Sequence, residues 1–295
     1  MTSDELLPGF KSHRIRTPDA EIHCVVAGKG PPLLLLHGYP QTHVMWHRVA
    51  PRLAERFTVV LSDLRGYGDS SKPAGGERHS NYGKRAMAAD QVEVMRALGH
   101  ERFSVAGHDR GARVVHRMCL DHPEAVLRAA VLDISPTRTM YANTDKLFAT
   151  AYYHWFFLIQ PYDLPERLIG ADAIYYLHRK LGGLSGSGMP FDPRALSEYE
   201  RCFNQKATIH ATCEDYRAAA SIDLEHDAFD AQKRIRCPLL VLWGERGVIH
   251  RLFQPLDDWR AVAADVRGRS LPTGHFIAEE APDATIAEFL AFFGA

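Results

Sequence analysis

Short apolar runs recur along the first 135 or so residues, separated by amphipathic stretches and turn residues. Glu21–Ala27, Pro32–Leu36, Phe57–Ser62, Phe103–Ala106 and Ala129–Asp133 read as strands, and their nearly continuous apolar character suits strands covered on both faces. Between them, Trp46–Glu55 and Gly83–Leu98 read as helices, so the alternation predicts a mostly parallel sheet. The pattern changes near Pro136. Through about Leu224 aromatic positions recur at helical spacing without a clear strand, and the glycine- and serine-rich stretch 182–188 reads as a flexible loop. Strand patterns resume at Pro238–Trp243 and Val266–Leu271, and Asp283–Phe293 reads as a closing helix. The simplest organisation is one α/β core, residues 1–136 and 225–295, interrupted by a helical cap, 137–224.

Composition narrows the function classes. At 295 residues and 46% hydrophobic, the chain is long enough for a sizeable core. Lysine and arginine number 35 against 36 acidic residues, so no basic field points to nucleic acid or a membrane surface. No apolar run is long enough to span a bilayer, and the first residues lack a signal-peptide pattern. The five cysteines show no CxxC spacing, which favours reduced thiols in a cytoplasmic protein. The 16 histidines form no HExxH pair, so no metal is expected, and no other cofactor is expected because side chains alone can supply the chemistry set out below.

The chemistry begins where Phe103–Ala106 runs into Gly107-His108-Asp109-Arg110-Gly111-Ala112-Arg113. This is a G-x-nucleophile-x-G turn with Asp in the usual place of Ser. Such a turn lifts the central side chain above the carboxyl edge of the sheet, beside a helix N-terminus that favours negative charge. The competing reading of Asp109 is a helix N-cap. A carboxylate is already an anion and displaces a leaving group from sp³ carbon, leaving an ester that water must hydrolyse. That second step needs a base. His275, after the last strand, supplies it, and Asp133, at the end of a strand amid apolar residues, is preferred over Glu245 as its acid partner. Arg110 and Arg113, three residues apart on the turn helix, keep Asp109 ionised and can grip an anionic substrate through paired hydrogen bonds. The competing reading has Arg113 pairing with a core acid and Arg110 with a surface one.

These residues, with His37–Trp46, Val131–Ile134, Tyr153-His154-Trp155, Cys213–Arg217 and Gly274-His275-Phe276, make the chain resemble the fluoroacetate (haloacetate) dehalogenases of the α/β-hydrolase superfamily. The resemblance covers nearly the whole chain. It implies the α/β-hydrolase fold, a mostly parallel eight-stranded sheet with an inserted helical cap, and a homodimer. It implies Asp109 as nucleophile, His275 as base, Asp133 as its orienting acid, and Arg110 and Arg113 on the carboxylate of a small haloacid. His154, Trp155 and Tyr216 would donate hydrogen bonds to the departing halide. Without the resemblance, the His154-Trp155 pair reads as cap packing. The backbone N–H groups of Tyr39 and Arg110 would surround the ester's oxyanion. The loop Asp63–Ser70 reads as structural, with Tyr67 bordering the site. Leu184 stands where some relatives carry Trp, which opens the reading to chloroacetate and longer 2-haloacids.

Three enzyme classes and one binding class compete with that reading. An epoxide hydrolase would use cap phenols such as Tyr152, Tyr153, Tyr175, Tyr176 or Tyr216, but gives the two arginines no role. A haloalkane dehalogenase typically carries Trp where Arg110 stands, and an esterase needs Ser at the turn. A non-catalytic receptor for a small acid, built on the same fold, is opposed only by the set Asp109, Asp133 and His275.

Overall fold

The computed structural model describes residues 6–294. Among them, eight strands form one sheet: β1 (Lys11–Arg16), β2 (Glu21–Ala27), β3 (Pro32–Leu36), β4 (Thr58–Ser62), β5 (Phe103–His108), β6 (Val126–Leu132), β7 (Leu239–Gly244) and β8 (Val266–Leu271). Their order is β1-β2-β4-β3-β5-β6-β7-β8. Pairing is antiparallel from β1 through β2 to β4 and parallel thereafter. Leu33–Leu36 on β3 have no exposed surface, as expected of a strand covered on both faces. β1, Lys-Ser-His-Arg-Ile-Arg, escaped the hydrophobic pattern because it is an exposed edge strand with no buried face to record.

Two helical expectations are corrected. Trp46–Glu55 is not one helix: a 3-10 turn, His43–Trp46, is followed by a short helix, Ala50–Leu53, with Pro51 in its first turn, where a missing N–H costs nothing. Likewise 182–188 is not wholly a loop, because helix Ala173–Leu184 runs through both glycines. Each glycine costs about 1 kcal/mol in a helix, but docking holds this end. Leu181 is buried and the Leu184 carbonyl accepts the His275 N–H at 3.0 Å.

Between β6 and β7 the chain forms helices only, from Thr137–Ala142 to Ile222–Phe229. They lie over the carboxyl ends of β5 and β6, as the shared contacts of Arg110 and Arg113 with cap residues show. No helix among the described residues is long and apolar enough to cross a membrane.

Candidate active site

Asp109 stands alone between β5 and helix Arg110–Asp121, at φ +47° and ψ −112°. A non-glycine residue at positive φ costs about 1–3 kcal/mol and persists only where its surroundings hold it. Here the flanking glycines permit it. A methyl at Gly111 would lie 2.4 Å from the His37 carbonyl oxygen, and one at Gly107 only 2.5 Å from the Gly111 carbonyl carbon. The strand can therefore turn this tightly into the helix only without side chains at those two places. Asp109 occupies the N-cap position, yet its side chain makes no cap hydrogen bond. Its Oδ1 instead accepts the Tyr39 N–H at 3.0 Å, which aims the carboxylate toward the loop after β3.

The structure brings His275 and Asp133 to this carboxylate. His275 Nδ1 lies 2.6 Å from Asp133 Oδ2, and Asp133 Oδ1 accepts the Gly244 N–H at 2.9 Å. Glu245 is exposed, so of the two acids weighed only Asp133 meets the histidine. With Nδ1 committed, His275 presents Nε2 to Asp109, 3.9 Å from Oδ2. That is too long for a direct hydrogen bond, so the imidazole stands beside the carboxylate without being spent on it. Burial alone would lower the His275 pKa, but Asp133 and Asp109 outweigh it and raise it above the ordinary imidazole value. Burial would likewise neutralise Asp109; His275, Arg113 and Arg110 overcome it and hold the carboxyl below its usual range. His108, missed in the sequence, donates Nε2–H to the His275 carbonyl at 2.8 Å. Burial pushes its pKa down to about 3, so it stays neutral.

The two arginines are not equivalent. Arg110 is fully buried and paired with Asp215, through Nε to Oδ2 at 2.9 Å and Nη2 to Oδ1 at 2.7 Å. Arg113 has no carboxylate within ion-pair distance among the described residues; Nη1 donates to Thr137 Oγ1 at 2.8 Å. The expected competing arrangement is thus reversed: it is Arg110 that pairs with a core acid. Arg110 Nη1 and Arg113 Nε remain buried without a protein partner. Unpaired buried donors are costly, about 1–3 kcal/mol each and more when charged, so two of them on the first turn of the helix that follows Asp109 suit a place for an anion.

His154, Trp155 and Tyr216 are brought together above these groups. The ring centroid of Tyr216 is 5.7 Å from His154 and 6.4 Å from Trp155. Arg110 lies over the Tyr216 ring at 4.1 Å and Arg113 over Trp155 at 4.6 Å, tying each arginine to a cap aromatic. The Tyr216 hydroxyl is buried without a protein partner. Packing within the cap and contact with the two arginines are therefore one arrangement.

Several supporting residues carried no signal of their own. Asp215 is the hub for Arg110, Lys84 and Tyr67, the last donating its hydroxyl to Asp215 Oδ2 at 2.6 Å. Tyr67 is thereby placed behind Arg110, holding its counter-ion. Glu280 accepts the N–H groups of Gly186 (3.0 Å), Gly274 (2.9 Å) and Phe276 (3.1 Å), clasping the cap loop to the His275 loop. Nothing in spacing or composition marks an acid that meets three backbone donors from two distant segments. His23, His43 and Asp63 could in principle hold a metal ion. However, Asp63 Oδ1 already accepts His43 N–H and Nδ1–H, and Oδ2 accepts His23 Nδ1–H and the Asp69 N–H. The carboxylate is saturated and serves as a clasp for the loop Asp63–Ser70.

Known proteins share this fold. The family model for the alpha/beta hydrolase fold matches residues 31–282. A fluoroacetate dehalogenase from Burkholderia sp. is 49% identical over 97% of this chain and 95% of its own. A soluble epoxide hydrolase from Corynebacterium sp. strain C12 is 34% identical over 95% of this chain and 96% of its own. Among solved structures, an α/β hydrolase candidate from Nostoc sp. PCC 7120 superposes with a TM-score of 0.95 at 60% identity, covering 96% of this chain and 98% of that one. A mutant of a candidate epoxide hydrolase from Pseudomonas aeruginosa, with bound MFA, gives 0.93 at 48% identity over 98% and 97%. The chain belongs to the α/β-hydrolase fold family and, within it, is similar along nearly its whole length to a fluoroacetate dehalogenase.

Proposed function

We propose that this protein hydrolyses a small haloacid, with fluoroacetate or another haloacetate as substrate, to the hydroxyacid and halide. The observation that carries the reading is the pair of buried, unpartnered guanidinium nitrogens, Arg110 Nη1 and Arg113 Nε, beside an aspartate at the nucleophile turn. A neutral epoxide would leave both unsatisfied; a carboxylate bonded directly to the reacting carbon would satisfy them.

In this reading Asp109 Oδ2 forms a bond to the halogen-bearing carbon while the carbon–halogen bond breaks and its electron pair leaves with the halogen as halide. Oδ1, already held by the Tyr39 N–H, becomes the ester carbonyl oxygen, with the Arg110 N–H as the second donor. His154, Trp155 and Tyr216 donate to the halide as its charge develops, and preorganised donors of this kind are worth about 3 kcal/mol each. His275 Nε2 then takes a proton from water as it attacks the ester, and Asp133 stabilises the imidazolium. Residues 137–224 act as the cap. Exposed Tyr162, Leu164, Leu168 and Tyr175 on the cap suit a homodimer contact, and the free cysteines suit a cytoplasmic setting.

An epoxide hydrolase is the second reading, favoured by the Corynebacterium relative and by the unpartnered Tyr216 hydroxyl. Fluoride, chloride and diol are to be measured after incubation with fluoroacetate, chloroacetate and styrene oxide. Halide release is the expected result; diol alone would select the second reading. One turnover in ¹⁸O water is expected to label Asp109 itself, whereas label confined to product would mean direct attack by water.

A further inference from the structure

We infer that Lys180 is a positioning residue for the leaving group: it fixes the tautomer of His154, so that the imidazole presents Nε2–H to the departing halide. The inference rests on the haloacid reading above. Lys180, on helix Ala173–Leu184, is 4% exposed, with Nζ 3.3 Å from His154 Nδ1 and 3.8 Å from the centre of the Tyr153 ring. It has no carboxylate within ion-pair distance among the described residues.

The chemistry of the pair dictates its direction. An ammonium offers three donors and no acceptor. Its contact with Nδ1 therefore requires a lone pair there, which places the ring proton on Nε2. Burial and the neighbouring ammonium hold the His154 pKa well below the ordinary imidazole value, so the ring stays a neutral donor and does not compete with His275 as a base. Burial pushes the Lys180 pKa down to about 8, leaving it charged near neutrality. Tyr39 stacks on the His154 ring at 6.1 Å and Tyr216 meets it edge-on at 5.7 Å, which fixes the ring plane.

A cation behind a neutral N–H donor strengthens that donor, and the gain is largest where charge concentrates on a small anion. During displacement the Asp109 oxygen bonds to carbon, the electron pair leaves with the halogen, and His154 Nε2–H donates without giving up its proton. Fluoride, the smaller and poorer leaving group, depends on that donor more than chloride does.

The test compares the full-length wild type with K180M and K180R. Fluoride and chloride release are followed as kcat and KM, alongside ¹⁵N NMR of the histidine rings and thermal unfolding. K180M is expected to lower kcat for fluoroacetate about 10- to 100-fold, the loss of a charge-assisted hydrogen bond, and for chloroacetate by clearly less. K180R is expected to recover most of the fluoride rate. His154 should be the Nε2–H tautomer in the wild type and shift toward Nδ1–H in K180M. An Nδ1–H tautomer in the wild type, or an unchanged fluoride-to-chloride ratio in a folded K180M, overturns the role of Lys180 and leaves the dehalogenase reading standing. Equal losses for both halides accompanied by a lowered Tm also overturn it, in favour of a purely structural lysine. A wild type that releases neither halide overturns the dehalogenase reading and this role with it.

Discussion

The floor and the roof of the site are built by different rules. On the floor, Asp109, Asp133 and His275 lie at or just beyond strand ends, each held by backbone hydrogen bonds: Tyr39 N–H on Asp109, Gly244 N–H on Asp133, and the Leu184 carbonyl on the His275 N–H. On the roof, His154, Trp155 and Tyr216 come from cap helices and are held by ring packing and by two arginines beneath them. The floor anchors each side chain to backbone groups and leaves Asp109 Oδ2 and His275 Nε2 facing each other at 3.9 Å. The roof leaves the Tyr216 hydroxyl unpartnered. In the proposed mechanism the anchored groups below set the geometry of attack, while the donors above select what can leave.

That contrast can be broken at several points. The largest effect is expected at the floor. His275→Asn should release one equivalent of halide and then stop, with the intact protein gaining the mass of one carboxymethyl group, because displacement survives and ester hydrolysis does not. Continued turnover in this variant would remove His275 from its role. At the roof, Tyr216→Phe should slow fluoroacetate turnover by about 10²-fold, the usual loss for one transition-state donor, and chloroacetate by less; equal slowing would make Tyr216 a packing residue only.

Between the two layers, Asp215→Asn leaves Arg110 as an uncompensated buried charge. It should destabilise the fold by about 3–5 kcal/mol, read as a lower midpoint in denaturant. Arg113→Met orphans no carboxylate, should cost less stability, and should instead raise KM. The smallest effect concerns pH. His275 must be neutral to act, and its pKa is raised, so kcat should fall as pH drops through a value above about 6.5, the ordinary imidazole pKa. Asp109 has a lowered pKa and remains ionised throughout that window, so it should not shape this limb. An acid limb well below 6.5 would contradict the Asp133–His275 arrangement.

Much of the floor was legible in the sequence because it follows from local chain geometry. A buried strand, a G-x-D-x-G turn and a helix start are neighbours in the chain, and the structure joins them as Phe103–His108, Asp109 and Arg110–Asp121. The roof was legible only through resemblance, since Tyr216 and the His154-Trp155 pair lie about 60 residues apart and look like ordinary packing. Edge strand β1 was missed and the helical Gly182-Gly183 misread for a related reason: an exposed edge leaves no apolar period, and intrinsic propensity yields to docking.

The sequence by itself determined the alternating core, the turn that carries Asp109, and the residue types the chemistry needs, because these depend on spacing along the chain. Only the tertiary structure decided how charge is shared among them. It paired Arg110 with Asp215, left Arg113 without a counter-ion among the described residues, and set Lys180 behind His154. These choices depend on which side chains meet across the cap and the core. A pattern along the chain records which face is buried, but not what stands opposite it.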